Sequence, residues 1–327
     1  MKRIITLLTT LLTITLLATT SCQRKELLEP HNHFNLVIKA NFDSLALSQL
    51  LSNKDENYTT PGEPKTTQYI IFEKNTQKII KSGKFQGREG GLYLPEGMYD
   101  VMLYTSDFNE LDANFFRGLD KKETAETYTR QSPLDEAAPR TDVTQMYMVE
   151  PDPTFALLKE NIVVFEGDES NVLEVNFVQK SFKYYLTIKA TGLHQIHTAQ
   201  MKIGGMYTSA FLGNEDHRMN EAGTQIVDLE IIRSRNPGAD LGEGELYGEF
   251  WSFGPNQRED IPHSILLHFI NGTVITIKLQ EDLTSQIKAL TKGGEIIVKE
   301  VIEVKGPPSG FDPGVGEWDD TDVDIII

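Results

Sequence analysis

Cysteine and positive charge are both scarce in this sequence. The 327 residues include one cysteine, Cys22, so neither an intrachain disulfide nor a cysteine-rich zinc site can form. Lysine and arginine total 31 against 48 aspartate and glutamate residues, which gives a net charge of −17. Phosphate backbones are bound by concentrated positive charge, so a nucleic-acid partner is not expected.

Sequence signatures of common enzymes are also missing. The chain has no G-x-S-x-G nucleophile turn, no H-E-x-x-H zinc motif and no phosphate-binding loop. Many carboxylate pairs exist among 48 acidic residues, and none is singled out for glycoside hydrolysis. We therefore predict no catalytic residue, no metal site, no cofactor and no small-molecule substrate, and hence a protein that is not an enzyme.

The chain begins with a leader. Lys2 and Arg3 are followed by an apolar run from Ile4 to Ala18 and then by small residues that lead into Cys22. A basic end, an apolar stretch of this length and small residues before a cut are typical of a secretory signal peptide. We assign residues 1–21 to it, because the stretch is too short for an ordinary membrane-spanning helix.

The position of Cys22 predicts lipidation. A thiol directly after the cleavage site is the nucleophile that accepts a diacylglyceryl group in bacterial lipoproteins, and two or three acyl chains anchor a protein stably. Removal of residues 1–21 leaves 29 basic and 48 acidic residues, a net charge of −19, which anionic headgroups repel. Acyl chains, not a charged patch, are thus expected to hold the protein. The alternative is a secreted protein with an incidental cysteine.

Alternation of apolar and polar residues dominates the chain after a polar tether at 22–33. Phe34 to Phe42 alternates in this way, and an aromatic-rich strand follows Pro95. Asn271-Gly272, the strongest two-residue hairpin signal, separates two further strands. This pattern predicts an all-β chain of two tandem β-sandwich domains, at 34–180 and 181–327.

Two segments depart from the alternation. Asp282 as an N-cap, with Leu283 and Ile287 on one face, predicts a short helix in the second domain that ends at Gly293. The segment 119–143 is polar and contains two prolines, which predicts a long exposed excursion.

The acidic C-terminus permits three interpretations. Carboxylates at 317, 319, 320, 322 and 324 could ligate Ca²⁺, although they lack the EF-hand spacing. The segment could instead be a solvated linker. In the third interpretation Val323, Ile325 and Ile327 alternate in a last strand, which either closes its own sheet or adds to the sheet edge of another subunit. We favour closure of its own sheet.

Histidine and tryptophan supply weaker candidates. His31 and His33 are best explained as part of a polar tether, and His194 and His197 lie in a strand-and-turn region without a shared helical face. Exposed tryptophans stack on sugars, but Trp251 lies in an aromatic run typical of a buried strand. Trp318, in the acidic tail, is the other tryptophan of the chain.

Four stretches together resemble a known family. They are the leader ending in Cys22, the segment Gly90–Val101, the strand Tyr184–Ala190 with the following Gly192-Leu193, and Gly310–Trp318. In these stretches the chain resembles the fimbrillin-like lipoproteins of Bacteroidales. The resemblance is strongest to a branch known only as a domain of unknown function, related to minor and anchor subunits of type V pili.

The resemblance implies two transthyretin-like or immunoglobulin-like sandwiches on an outer-membrane anchor, with palmitate-type acyl chains on Cys22. It implies a surface-exposed, non-catalytic role in fimbrial anchoring, assembly or adhesion, with fimbrial subunits as partners, some of them joined by strand addition. Shaft subunits of the family are processed at an arginine, and Arg24 lies too near Cys22 to release a useful strand. The alternative function is a glycan-binding surface lipoprotein of a polysaccharide uptake system, which requires Trp251 or Trp318 to be accessible.

Overall fold

A computed structural model describes most of the chain after residue 33. It covers residues 34–42, 64–105, 114–133, 146–165, 171–214, 221–234, 242–258, 260–305 and 325–326. β-Strands dominate these residues and one short α-helix accompanies them, which confirms the all-β prediction. Over this part of the chain no helix has the length and apolar character needed to cross a bilayer.

The first sandwich is formed by two sheets. A three-stranded sheet has the order β11-β1-β4, and a five-stranded sheet has the order β12-β10-β5-β2-β3. Their strands are β1 (Leu36–Asn41), β2 (Thr66–Glu73), β3 (Ile79–Gln86), β4 (Glu89–Leu92), β5 (Gly97–Thr105), β10 (Phe155–Val164), β11 (Asn171–Asn176) and β12 (Val178–Gln179). β1 pairs in parallel with β11 and antiparallel with β4.

The first core lies between these two sheets, where alternate residues of each strand meet. Leu36 and Ile38 of β1 face Val101 and Leu103 of β5, and all four side chains are completely buried. Phe42 packs against the Phe155 ring with centroids 4.8 Å apart. Alternation in the sequence thus becomes burial on one face of each sheet.

The other face of the five-stranded sheet is covered by a small sheet of order β15-β7-β6. Its strands are β6 (Asn114–Arg117), β7 (Glu126–Thr129) and β15 (Ser209–Phe211). Glu126 and Thr127 are buried in it, so the prediction that 119–143 forms an exposed excursion is wrong for this part. The segment was predicted to be exposed because its residues are polar, whereas pairing with the distant β15 satisfies its backbone.

The second half of the chain forms a ten-stranded sheet of order β20-β13-β17-β16-β14-β18-β19-β21, to which β9 and then β8 attach at β16. Its strands are β8 (Gln131–Pro133), β9 (Met146–Met148), β13 (Phe182–Thr191), β14 (Ile196–Tyr207), β16 (Ala222–Arg233), β17 (Gly244–Ser252), β18 (His263–Phe269), β19 (Val274–Lys278), β20 (Gly294–Glu303) and β21 (Ile325–Ile326). β16 pairs with β14 through residues 222–229 and with β17 through residues 230–233, and the second core is formed by side chains from the strands of both parts of the sheet.

Two local predictions in the second half are confirmed. The turn at Asn271-Gly272 joins β18 to β19, with Gly272 at φ 86°. Helix α1 (Thr284–Ala289) is present, but its N-cap is Leu283 rather than the predicted Asp282, and it ends at Ala289 rather than at Gly293. The Asp282 carboxylate accepts a hydrogen bond of 2.9 Å from the Thr284 N–H. Leu283 and Ile287 are fully buried in the second core, which explains why this short helix forms.

The two halves are joined by more than the covalent link. Thr154 and Ser181 are buried at the crossing, where the Thr154 N–H donates to the Ser181 Oγ at 2.9 Å. The strand pairs β7–β15 and β9–β16 also connect residues before 150 with residues after 208. The domain boundary near residue 180 stays a prediction. Strands from before and after this residue pair with each other in two sheets, the small sheet β15-β7-β6 and the ten-stranded sheet.

Candidate interaction surface

Several predicted site residues lie outside the described residues. These are Cys22 with the signal peptide and tether at 1–33, the carboxylates between 317 and 324, and Trp318. Lipidation of Cys22 therefore stays a prediction of the sequence. The candidate surface is built below from the residues that the structure describes.

Trp251 is buried, with 4% of its surface exposed. It belongs to β17 of the second half, yet its ring packs in the first core among residues that precede 178. Its backbone N–H donates to a Glu150 carboxylate oxygen at 2.7 Å. A sugar cannot stack on this ring, so Trp251 supplies no glycan platform and is a structural link between the halves.

The histidines do not form the pair considered from the sequence. His194 lies in a short 3-10 turn at Leu193–Gln195, and His197 lies at an irregularity of β14 next to His268 of β18. Burial and the neighbouring charge of His197 lower the pKa of His268. The described residues contain no group of three or more histidine, cysteine or acidic side chains suited to a metal ion.

Asp100, a completely buried carboxylate of the first half, is held by structural partners. Lys122 Nζ lies 2.7 Å from its Oδ2, and Lys74 Nζ and the Asn161 N–H lie 3.2 and 3.0 Å from its Oδ1. Burial opposes ionisation, but the hydrogen bonds from these three donors outweigh it and lower the pKa of Asp100. A carboxylate with both oxygens occupied in this way stabilises the fold and has no free lone pair aimed at a ligand.

A protein partner that binds by adding a strand needs a sheet edge with unpaired backbone groups. The edge of β20 does not offer them along its middle, because side chains bond to its backbone. The Lys299 N–H donates to a Glu281 carboxylate oxygen at 2.7 Å. With its amide turned to satisfy both groups, Gln286 of α1 bonds the N–H and the carbonyl of Ile297 at 3.3 Å each. The loop before α1 and the helix itself thus cover the middle of this long edge.

The C-terminal strand covers another edge. Ile325 and Ile326 of β21 pair antiparallel with Ile275 and Val274 of β19. Of the interpretations offered for this segment, closure of its own sheet is the one that the structure supports. The carboxylates that precede it lie outside the described residues, so calcium binding is untested.

The edge of β11 is open within the described part of the chain. β11 pairs with β1 on one side and is the end strand of its sheet. The Asn171 N–H donates to the Asn35 carbonyl and the Phe177 N–H to the Asn41 carbonyl, so odd-numbered N–H groups point toward β1. Because N–H directions alternate along a strand, those of Val172, Glu174 and Asn176 point to the open side. The strand contains neither proline nor lysine, the usual residues that protect an edge.

Sequence reasoning expected exposed edges in general but did not single out β11. The stretch Asn171–Asn176 reads as one more alternating strand, like many others in the chain. Its position at the end of a sheet depends on which strands pair, and pairing between distant segments leaves no local signal. The open edge of β11 is the candidate interaction surface.

Comparison with known proteins places this architecture in a family. Residues 21–228 match the family model described as Domain of unknown function (DUF5119). No curated protein sequence matches the chain.

Solved structures are similar to the chain at low sequence identity. A candidate adhesin from Bacteroides ovatus is 17% identical with a TM-score of 0.56, over 84% of this chain and 93% of that one. A candidate polysaccharide-binding protein from Bacteroides thetaiotaomicron is 10% identical with a TM-score of 0.47, over 80% and 89%. The fimbrial anchor protein Mfa2 from Porphyromonas gingivalis is 10% identical with a TM-score of 0.43, over 80% and 90%.

The family match spans well over half of the chain and includes nearly all of the first sandwich. It confirms the resemblance to a Bacteroidales branch of unknown function that the sequence indicated. The chain belongs to the family described as Domain of unknown function (DUF5119).

Proposed function

We propose that this protein is a non-catalytic lipoprotein of the outer-membrane surface that acts in fimbrial anchoring, assembly or adhesion. Cys22 carries the acyl chains, and the folded chain that follows presents the interaction surface outside the bilayer. The observation that carries the proposal is the architecture shared with the candidate adhesin from Bacteroides ovatus over most of both chains. The leader that ends in the one cysteine of the sequence supports the membrane anchor.

The described polar groups support a binding role rather than a chemical one. Asp100 is saturated by structural donors, and Glu126 and Lys183 are buried in ion pairs with Arg117 and Glu249. An active site needs titratable groups that converge on a space for substrate. These three buried charges are directed into the protein instead.

Mass spectrometry of the mature protein from its own cells tests the anchor. We expect an N-terminal Cys22 with a diacylglyceryl mass, and we expect Cys22→Ala to appear in the soluble fraction with loss of surface protein. Cys22→Ser, which keeps the size of the side chain but lacks the thiol, is the matched control and should behave like Cys22→Ala. Mature protein from native cells whose N-terminal peptide lacks the added mass of a diacylglyceryl group would contradict the proposed lipid anchor.

Strand addition at β11 is the proposed mode of partner binding. Glu174→Pro removes one outward N–H and leaves the β1 pairing intact, because the Glu174 N–H points away from β1. We expect this variant to keep its melting temperature within a few degrees and to lose cross-linking to fimbrial subunits on intact cells. Glu174→Ala keeps the N–H and should cross-link normally. Equal cross-linking of all three proteins would exclude this edge as the contact.

A further inference from the structure

Exposed apolar side chains gather at one end of the first sandwich. Twelve large apolar side chains are exposed among the described residues, and eight of them lie at this end. Six define what we call the apolar pole: Phe34, Tyr93, Met98, Val163, Phe165 and Val172. Ile79 and Ile80, at the start of β3, flank the pole.

Backbone and side-chain contacts show that these residues share one end. Asn35, next to Phe34, exchanges two hydrogen bonds of 2.7 and 2.9 Å with the backbone of Leu94, next to Tyr93. Met98 lies directly opposite Val163 in the pairing of β5 with β10. The Asn171 side chain reaches the Val163 carbonyl at 3.5 Å, which brings the start of β11 to the same place.

The side chains of the apolar pole are more exposed and more numerous than isolated apolar residues on a protein surface. Phe165 and Tyr93 are 62% and 61% exposed, and Val172 is 55% exposed. Scattered exposed apolar side chains are normal, but a concentration of them at one end of a sandwich marks a contact site. Only four of the twelve exposed apolar side chains lie elsewhere in the described chain: Ile232, Ile270, Ile297 and Val301.

The path of the chain shows that the apolar pole lies on the side of the first sandwich nearest Cys22. The second half joins the opposite end, near Phe155 and Trp251, which the nine residues of β5 place about 27 Å away. The described chain begins at the pole with Phe34, twelve residues after Cys22. Even a fully extended segment of that length spans at most about 43 Å, so acyl chains on Cys22 keep the pole close to the bilayer surface.

We propose that the apolar pole is a second membrane contact, which lies at the boundary between headgroups and acyl chains of the leaflet that holds Cys22. The inference rests on the proposed lipid anchor. Aromatic and aliphatic side chains favour this boundary, whereas the net charge of the mature chain opposes binding to anionic lipid. The contact is therefore apolar, independent of anionic headgroups and insensitive to salt. It orients the molecule with its second half away from the membrane.

Site-specific fluorescence in vesicles tests the contact. In the acylated full-length mature chain the Cys22 thiol is blocked, so an introduced cysteine is the one free thiol for an environment-sensitive label. The positions are Phe165→Cys and Tyr93→Cys, with Ile270→Cys, 70% exposed in the second half, as the matched control. The vesicles contain equal parts of phosphatidylcholine and phosphatidylethanolamine, with or without a nitroxide on the acyl chains.

We expect acyl-chain nitroxide to quench the labels at 165 and 93 at least severalfold more than the label at 270. Labels at the pole that are as accessible to an aqueous quencher as the label at 270 would overturn the inference. Equal shielding of the pole labels in vesicles and in an unacylated Cys22→Ser chain kept free of lipid and detergent would overturn it too, because the chain itself or a second copy would then cover the pole. An unacylated Cys22 in cells contradicts the anchor instead, so the two failures are distinguishable.

A weak anchor makes the contribution of the pole measurable. One acyl chain gives only marginal, reversible membrane binding, so a mature chain with a single alkyl group on Cys22 partitions between vesicle and buffer. The triple variant Tyr93→Ser, Phe165→Ser, Val172→Thr should lower the partition coefficient roughly tenfold, since each change removes apolar surface from the contact. The control triple Ile270→Ser, Ile297→Thr, Val301→Thr should leave it unchanged. Equal partitioning of both triples would reject the membrane contact.

Discussion

Asp100 shows how a single charged residue is accommodated inside an all-β protein. Its side chain is completely buried beside Phe72 in the pairing of β5 with β2. Lys74 and Lys122 reach over the sheet from two different segments and are only partly buried, so their alkyl chains cover Asp100 while their ammonium groups stay near solvent. The lowered pKa of Asp100 is the consequence of these contacts.

Stability should therefore depend on the charge of Asp100. Because its pKa is lower in the folded protein than in the unfolded chain, the carboxylate contributes stability above its ordinary pKa near 4, and this contribution is lost as the pH falls. Asp100→Asn should lower the free energy of unfolding at pH 7 by roughly 2–3 kcal/mol, since it removes the buried negative charge that Lys74 and Lys122 both contact and leaves them only the exposed Glu160. It should also flatten the acid limb of the stability curve. Urea unfolding between pH 3 and 7 measures both effects.

An exposed glutamate on the same part of the molecule is the control. Glu160 contacts Lys122 from the solvent side, and its removal leaves the buried Asp100 contact in place. Glu160→Gln should therefore cost well under 1 kcal/mol, as surface pairs do. Indistinguishable acid limbs for the wild type and Asp100→Asn would show that the Asp100 contacts do not govern acid stability.

At the level of elements, the edges decide how this protein meets others. Helix α1 and the loop before it cover β20, and β21 covers β19, whereas β11 is open within the described chain. A sheet edge with unpaired backbone groups pairs with other chains, so covering these two edges limits self-association. At β20 a short helix and side-chain hydrogen bonds achieve this without a further strand.

Uncovering β20 should promote self-association. The double variant Glu281→Ala, Gln286→Ala removes the side chains that occupy the backbone groups of Lys299 and Ile297. We expect a monomer that becomes dimeric or aggregates at concentrations where the wild type does not, as sedimentation velocity would show. Glu295→Ala, an exposed glutamate of β20 without an edge hydrogen bond, is the matched control. A double variant that stays as monomeric as this control would contradict the covering role.

At the scale of the whole molecule, the two halves behave as one structural unit. Trp251 of β17 fills a place in the first core, and β7 and β9 pair with strands of the second half. An ion pair of 2.7 Å between Arg117 and Glu221 adds to this connection. Elements that share a core and sheets unfold together, so cooperative unfolding is expected across the boundary.

Calorimetry tests this coupling. The wild type should unfold in one transition, and Trp251→Ala should lower the free energy of unfolding by about 3–5 kcal/mol because it leaves a cavity in the first core. With the link weakened, the halves should separate into two transitions. Trp251→Phe refills much of the cavity and should restore a single transition. Two transitions in the wild type would show that the halves are independent.

Local patterns in the sequence predicted most of the elements. Alternation gave strands such as β1 and β5, Asn271-Gly272 marked the β18–β19 hairpin, and Asp282 with Leu283 marked helix α1. These signals succeed because each depends on residues only a few positions apart. The polar strand β7 was missed because its partner β15 lies some eighty residues away and satisfies groups that would otherwise need water.

The sequence by itself determined the all-β class and the family, and it predicts the leader with Cys22, because periodicity and short motifs are properties of neighbouring residues. Only the tertiary structure decided that Trp251 is buried in the opposite half, that no strand among the described residues pairs with the outer edge of β11 and that six apolar side chains share one pole. The exposure of a side chain depends on which distant segments pack over it. Those segments are brought there by pairing between strands that are far apart in the chain.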